Sequence, residues 1–392
     1  MSDGPTTLTK EPEKPDRPSW LDRVAPKEVD WRSLFLIPFL AVLSALIVGA
    51  GFIVLTEGLD AILPAYRALF SGAFGGWGSI SETLLAATPL ILAGLAVALG
   101  FRAGLFNIGA EGQMTIGGLT AVLVGFSFEG LPAVVHIPLA VLAGFLGGAL
   151  WGFIPGLLRA KTGAHEVIVT IMLNFIAFRL LDYLLKLPGI QEEGRFDPIS
   201  QPVLPSARLP RILGWLPIDG AGGLRLHLGF LIALAMAWLV YWLLFRTTWG
   251  FEFRTVGANP HAAKYGGMSV AVAIILVMTL SGGLAGMAGG NETLGTLGRA
   301  SPGFTAAIGF DAIALALLGR SHPAGVVLSA ILFGALRAGG RTMQVQSEVG
   351  IDLIVIIQAL IIVFIAAPEL VRSIYRVKGG KETGQLTRGW ST

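Results

Sequence analysis

Cysteine is absent from the 392-residue chain, which excludes disulfides, thiolate metal sites and cysteine nucleophiles. Charge is scarce: Asp, Glu, Lys and Arg make up 14% of the residues, against about a quarter in a soluble domain. The five histidines are scattered, so the sequence offers no zinc-type cluster and no metal or other cofactor is expected in this chain. No G-x-x-x-x-G-K-[ST] phosphate loop occurs, so any ATP and Mg2+ it depends on belong to another chain. No nucleophile–base constellation stands out, which leaves an intramembrane enzyme without its chemistry. The net charge of +3 is small and its basic residues sit in loops, so nucleic acid is not an expected partner.

What the chain does have is apolar length. Hydrophobic residues make up 54% and are spread over the whole sequence, so the solvent for most of it is lipid. Runs long enough to span recur near 34–56, 83–101, 108–128, 132–155, 166–186, 227–245, 269–290, 305–319, 323–338 and 350–373. The expected fold is an all-α polytopic membrane protein of about ten transmembrane helices, with 305–319 short enough to be a half-span or re-entrant segment. Residues 1–32, Pro-rich and of mixed charge, read as a disordered cytoplasmic tail. The transmembrane domain covers 33–375, and 376–392 form a second cytoplasmic tail. No small-residue cleavage site follows the first run, so it reads as an uncleaved span.

Lys and Arg set the orientation. With the N-terminus inside, the inner set holds Arg102, Arg159, Lys161, Arg246, Arg254, Lys264, Arg320 and the C-terminal cluster Arg372, Arg376, Lys378, Lys381 and Arg388. That is roughly twice the outer set, as the positive-inside rule asks. The outer set lies mostly in one long loop, 187–226, with Arg195, Arg208, Arg211 and Arg225. Both termini are then cytoplasmic, and the location is the inner (cytoplasmic) membrane. Among the 53 glycines, Gly144, Gly148 and Gly152 recur every fourth residue, as do Gly282, Gly286 and Gly290. Each set puts a flat stripe on one helix face, the pattern of close helix packing in membranes. Residues 351–367, rich in Ile and Val without Gly, read as a lipid-facing helix.

Polar residues inside the runs narrow the function. The segment Phe106-Asn107-Ile108-Gly109-Ala110-Glu111-Gly112-Gln113-Met114 opens the third run. Asn107, Glu111 and Gln113 there must face protein or water; they read either as part of a translocation path or as a solvated loop. The segment from Arg254 through Met268 holds a short helix with its own signals. Asn259 suits an N-cap, Pro260 the first helical position, and Gly266-Gly267 the stop. A connector has no need of such definition; a rigid peg docking into another protein does. Asn174, mid-run, reads as interhelical glue or as a ligand contact. Arg179 and Asp182, three apart, are expected to pair. Asp311 reads as a cap on a short helix or as a group facing the path, with the cap preferred, and Phe310 as packing or as a stacking surface. Gln358 has no evident role. Glu111 and Asp311 also keep an ion-coupled secondary transporter open as an alternative.

Four stretches carry a family resemblance. They are 106–114; Glu166-Val167-Ile168-Val169-Thr170-Ile171-Met172-Leu173-Asn174; Val256-Gly257-Ala258-Asn259-Pro260; and Gly309-Phe310-Asp311-Ala312-Ile313-Ala314 with Leu317-Leu318-Gly319. In that order they resemble the ABC-importer permeases that serve ribose, branched-chain amino acids, autoinducer sugars and nucleosides, and the first two look most like the nucleoside (purine-type) branch. The resemblance covers roughly 34–375. It implies a second permease subunit, in this branch usually a different chain, a cytoplasmic ABC ATPase, and an external substrate-binding protein. It implies a coupling helix at 257–267 within the loop 246–268, inserting into an ATPase groove: Asn259 and Pro260 fix its start, Ala262, Ala263 and Tyr265 provide contact surface, and Arg254 and Gly257 also serve the coupling. It also implies a substrate path touched by Asn107, Glu111, Gln113, Asn174, Phe310 and Asp311. The substrate expected is a nucleoside, with a simple sugar of ribose type as the alternative.

Overall fold

The computed structural model describes residues 31–214, 221–347 and 350–376. Apart from residues 31–32, which open the first helix, and Arg376, the two expected tails lie outside the described residues, as does the side chain of Gln358. Helices dominate, and among the described residues the only β-type pairings are two isolated bridges, Gln191 with Ser200 and Arg211 with His227.

In chain order the α-helices are α1 (Trp31–Glu57), α2 (Ile62–Phe74), α3 (Trp77–Arg102), α4 (Ala110–Ser127), α5 (Ala133–Thr162), α6 (Glu166–Leu184), α7 (Gly229–Arg246), α8 (Thr248–Ala258), α9 (Pro260–Tyr265), α10 (Val270–Asn291), α11 (Ile308–Leu318), α12 (Pro323–Ser347), α13 (Ile351–Ala366) and α14 (Pro368–Tyr375). A π-helical turn, Glu292–Leu297, extends α10. Seven of the described helices are long and apolar enough to cross a membrane: α1, α3, α5, α6, α7, α10 with its π turn, and α12. Three of the ten expected spans fall outside that set. The helix α4 has the length, but its first turns are polar and nearly all of it is buried in protein. With 11 residues α11 covers only ~16 Å, about half a bilayer core, as its shortness led one to expect. The run 350–373 breaks into α13 and α14.

The long helix α3 is the axis of the bundle. Its apolar residues from Leu90 to Leu99 are almost all excluded from the surface, and it spans ~39 Å. At one end the Ser81 hydroxyl accepts from the backbone N–H groups of Arg225 and Leu226, both at 3.1 Å. At the other, a Cβ on Gly104 would stand 3.1 Å from the Gly257 Cα. The long loop 187–226 and the loop 246–268 therefore cap opposite ends of the bundle, as the charge pattern requires.

The glycine stripes do what flat faces allow. A Cβ on Gly148 would lie 2.2 Å from the Gly282 carbonyl oxygen, and one on Gly286 2.2 Å from that of Gly144, so α5 and α10 meet backbone to backbone. The helix α4 completes the trio through Gly117, whose Cβ would meet the Gly286 Cα at 2.1 Å. Dispersion and backbone proximity replace the hydrophobic effect as the association force here.

The helix α13, expected to face lipid, does so on one side only. Leu353, Ile354, Ile357, Ile361 and Phe364 are buried, with Ile357 set against Gly49 of α1 and Ile354 against Gly340 of α12. Only its other face, with Val355 and Val363, is exposed. Two helices have no counterpart in the expected set. Along α2, Ala65, Ala68, Leu69, Gly72 and Ala73 line one face and pack on α12, where a Cβ on Gly72 would strike Thr342. The helix α8 is capped by Thr247, whose hydroxyl accepts from Gly250 N–H at 3.1 Å.

Candidate coupling and translocation sites

At the end of the bundle remote from the 187–226 loop, α8 and α9 form a compact hairpin. Asn259 caps α9 through its Oδ1, which accepts from Ala262 N–H at 3.0 Å, and Pro260 takes the first helical position. Gly266 closes it and Gly267, at φ +81°, takes the left-handed conformation that lets the chain leave. Pro260, His261, Ala262, Lys264 and Tyr265 are exposed, Tyr265 to 97%.

Of the coupling residues, Ala263, Gly257 and Arg254 face the body of the protein. Ala263 is fully buried and seats the helix on the body. Gly257 faces the end of α3, where a Cβ would come within 2.4 Å of the Arg102 carbonyl oxygen; its role is close approach. The Arg254 guanidinium lies 5.3 Å from the Phe245 ring centroid, turned to the bundle. Arg102 sits 5.6 Å from the same ring, and its Nε donates to the Ser321 carbonyl at 2.8 Å. His322 stacks at 5.4 Å on Phe245, and burial with Arg102 nearby holds its imidazole below the usual histidine range. One aromatic ring thus ties the hairpin to the ends of α3 and α7 and to the turn between α11 and α12. The sequence does not single out Arg102, Phe245 and His322 together, because they lie at the ends of different runs, far apart along the chain.

A second polar group lies midway through the bundle. Asn107 donates from Nδ2 to Gln113 Oε1 at 2.9 Å and to Ser281 Oγ at 2.8 Å, and its Oδ1 accepts from Gly109 N–H at 2.9 Å. Asn174 accepts from Gly112 N–H at 2.8 Å and donates to the Ile108 carbonyl at 2.9 Å. Asn174 is near the middle of α6 and Ser281 near the middle of α10, which fixes this cluster at mid-depth. Glu111 accepts from the Thr305 hydroxyl and, at 2.6 Å, from Gly309 N–H. All four side chains are buried, with 3% exposure or less. Asn107, Glu111, Gln113 and Asn174 therefore line no open path in this structure. They hold the irregular segment 103–109 and the start of α11 in place, because unpaired polar groups at this depth are costly. Among the described residues Asn291 Oδ1 is buried without a partner, and nothing in the structure explains it.

Phe310 and Asp311 behave differently. Phe310 is 43% exposed. Asp311 does not cap α11; its Oδ2 accepts from Arg337 Nη2 of α12 at 2.5 Å, and both side chains keep partial exposure. The segment before them descends from the end of the bundle that carries the 187–226 loop, where Ser200 N–H donates to the Ala300 carbonyl at 2.9 Å, down to Thr305 at mid-depth. Its residues Pro302, Gly303, Ala306 and Ala307 are exposed. Ala306 and Ala307 adopt φ +47° and +61°, unusual for residues with a Cβ. Further out, Glu82 pairs with Arg225 at 3.5 Å and approaches Arg341 at 3.9 Å. Arg179 and Asp182 pair at 3.6 Å as expected, near the C-terminal end of α6.

An all-helical bundle with seven candidate spans, a half-span and a self-capped helix at one end is a multi-pass membrane protein. Residues 79–366 match the family described as branched-chain amino acid transport system / permease component, and the chain belongs to that family. It is 42% identical over 342 residues to the guanosine ABC transporter permease protein NupP of Bacillus subtilis (strain 168), covering 87% of this chain and 95% of the relative. It is 39% identical to the glucose ABC transporter permease protein TsgB13 of Haloferax volcanii, with 87% and 89% covered. It is 34% identical to the nucleoside ABC transporter permease protein NupB of Lactococcus lactis subsp. cremoris (strain MG1363), with 86% and 92% covered. No solved structure matches.

Proposed function

We propose that this chain is one membrane half of an ATP-driven importer for a nucleoside, moved by an ATPase that docks on α9. The observation that carries the coupling is the exposed helix Pro260–Tyr265, capped at both ends and braced through Gly257 and Arg254 to the ends of α3 and α7. A rigid lever needs a driven tip and a fixed root, and this hairpin has both. ATP and Mg2+ are bound on the partner ATPase. A substrate-binding protein outside delivers the solute, and the outer loop 187–226 is the surface it meets. The second permease is a different chain. The likeness of this sequence to both NupP and NupQ of Bacillus subtilis, at 42% and 29% identity, supports that pairing. Asp311, paired with Arg337, and Glu111, bonded at both oxygens, are each engaged within the protein, which weakens the ion-coupled alternative.

Tyr265→Glu and Ala262→Glu test the coupling in the reconstituted complex of both permeases, ATPase and binding protein. Stimulation of ATP hydrolysis by loaded binding protein should fall about tenfold or more, since a buried interface charge costs at least ~1.4 kcal/mol. Undiminished stimulation would remove α9 from the coupling path. The 39% identity to a glucose permease supports a sugar as the second reading. A thermal-shift panel of nucleosides and sugars on the cognate binding protein separates the two: sugars alone shifting it would overturn the nucleoside.

A further inference from the structure

Charged side chains at membrane depth either pair inside protein or face water, and irregular backbone there is tolerated only where it is buried or lines a cavity. On one face of this bundle both conditions are met at once. The Asp311–Arg337 pair is only partly covered, with side-chain exposures of 28% and 21%. Immediately above it the exposed residues 302–303 and 306–307 run without helical structure down to mid-depth. Phe310, exposed, stands between the two. By contrast α6 shows lipid-type side chains outward at the same depth: Ile168, Met172, Phe175 and Ile176. Lipid can cover the α6 face. It cannot cover the α11–α12 face without desolvating a charge pair and open backbone.

We propose that Ala306, Phe310, Asp311 and Arg337 form the substrate-bearing wall of the translocation path, and that Asp311 and Arg337 read a pair of adjacent hydroxyl groups on the solute. Their pairing leaves unused capacity. A carboxylate accepts at about four lone-pair positions and a guanidinium donates five N–H bonds, whereas one such bond joins them here. Vicinal hydroxyls fit that remainder, donating to the carboxylate and accepting from the guanidinium. Phe310 adds an apolar surface on which a flat base or the C–H face of a sugar ring rests. This inference rests on the permease reading above. It does not need the nucleoside, because a ribose ring and a free hexose share the vicinal diol.

The test has two arms, both on the complete reconstituted transporter. The first measures how strongly guanosine uptake is preferred over 2′,3′-dideoxyguanosine uptake. Asp311→Asn and Arg337→Gln should each reduce that preference about tenfold, because a site built to bond hydroxyls discriminates by them. Asp311→Glu, which keeps the charge, should retain most of it. An unchanged preference, even with slower uptake of both, would make the pair merely structural and overturn its role. The second arm survives variants that fail to assemble. The native chain has no cysteine, so Ala306→Cys and Phe310→Cys can be probed singly with a charged, membrane-impermeant thiol reagent. Both should be modified, and protected when loaded binding protein is present, while Ile176→Cys stays unmodified. Equal inertness of all three positions would place the path elsewhere. If the wild-type complex takes up glucose and no guanosine, the nucleoside reading falls while the wall stands, and the first arm is read with glucose against 2-deoxyglucose.

Discussion

Asn174 shows how one side chain can hold two helices. Its amide accepts from Gly112 N–H and donates to the Ile108 carbonyl, two backbone groups that the break before α4 leaves without helical partners. Asn174→Ala should destabilise the purified protein by about 1 to 3 kcal/mol, read as a lower midpoint in detergent thermal unfolding. A midpoint within a degree of wild type would mean that the two backbone groups find other partners. His227 gives a pH-dependent prediction. Burial and the nearby Arg225 push its imidazole down from 6.5 to about 4. Between those values the unfolded chain binds the proton and the folded one does not, so stability is full above pH 6.5 and falls as pH drops toward 4. The loss reaches about 3 kcal/mol for a shift of this size. His227→Gln should flatten that slope between pH 7 and pH 5; an unchanged slope would place the titration elsewhere. The polar residues at 107–113 and 174 were recognisable as special from sequence, because their type is wrong for lipid. Their role was not. Whether a buried amide faces a solute or a backbone depends on partners as distant in sequence as Ser281, and no spacing within 106–114 encodes that contact.

At the scale of elements, local signals were read correctly where they were complete. Asn259, Pro260 and Gly266-Gly267 delimit α9 by themselves, and its bounds Pro260–Tyr265 follow. The preceding α8 is not legible although Thr247 caps it, since its 11 residues alternate apolar Trp249, Phe251 and Phe253 with polar ones and are too short to form a spanning run. Likewise α2 was lost between two long spans because Pro64, Arg67 and Ser71 interrupt its apolar pattern. The glycine stripes were legible, but which helices they join was not. Gly148→Leu should be severe, because the new side chain starts 2.2 Å from the Gly282 carbonyl oxygen and backbone cannot yield as a side chain can. We expect a loss of at least ~3 kcal/mol, seen as failure to recover monodisperse protein. Normal yield and elution would contradict the α5–α10 contact. Gly257→Val should act differently. Its Cβ would stand 2.4 Å from the Arg102 carbonyl oxygen, so the hairpin is displaced at its root while α9 keeps its own caps. The complex should assemble and hydrolyse ATP, with uptake per ATP reduced severalfold; full coupling would show that the root need not be rigid.

Over the whole molecule, composition alone points to a membrane bundle, and charge asymmetry puts its two long loops at opposite ends, where Ser81 and Gly104 anchor them. The span count did not follow from hydropathy, since α4 opens on polar turns yet is buried in the bundle and α11 is apolar yet too short to cross. Both departures fall where the bundle is discontinuous, at the irregular segment 103–109 and the non-helical stretch before α11. The importer account joins three parts of one chain: a driven helix at one end, a receiving loop at the other, and a half-span between. It is tested most directly by guanosine uptake into proteoliposomes holding both permeases and the ATPase, with the binding protein outside and ATP within. The account predicts uptake that persists when proton and sodium gradients are collapsed and stops when ATP is withheld. Uptake that follows the gradients and ignores ATP would contradict it.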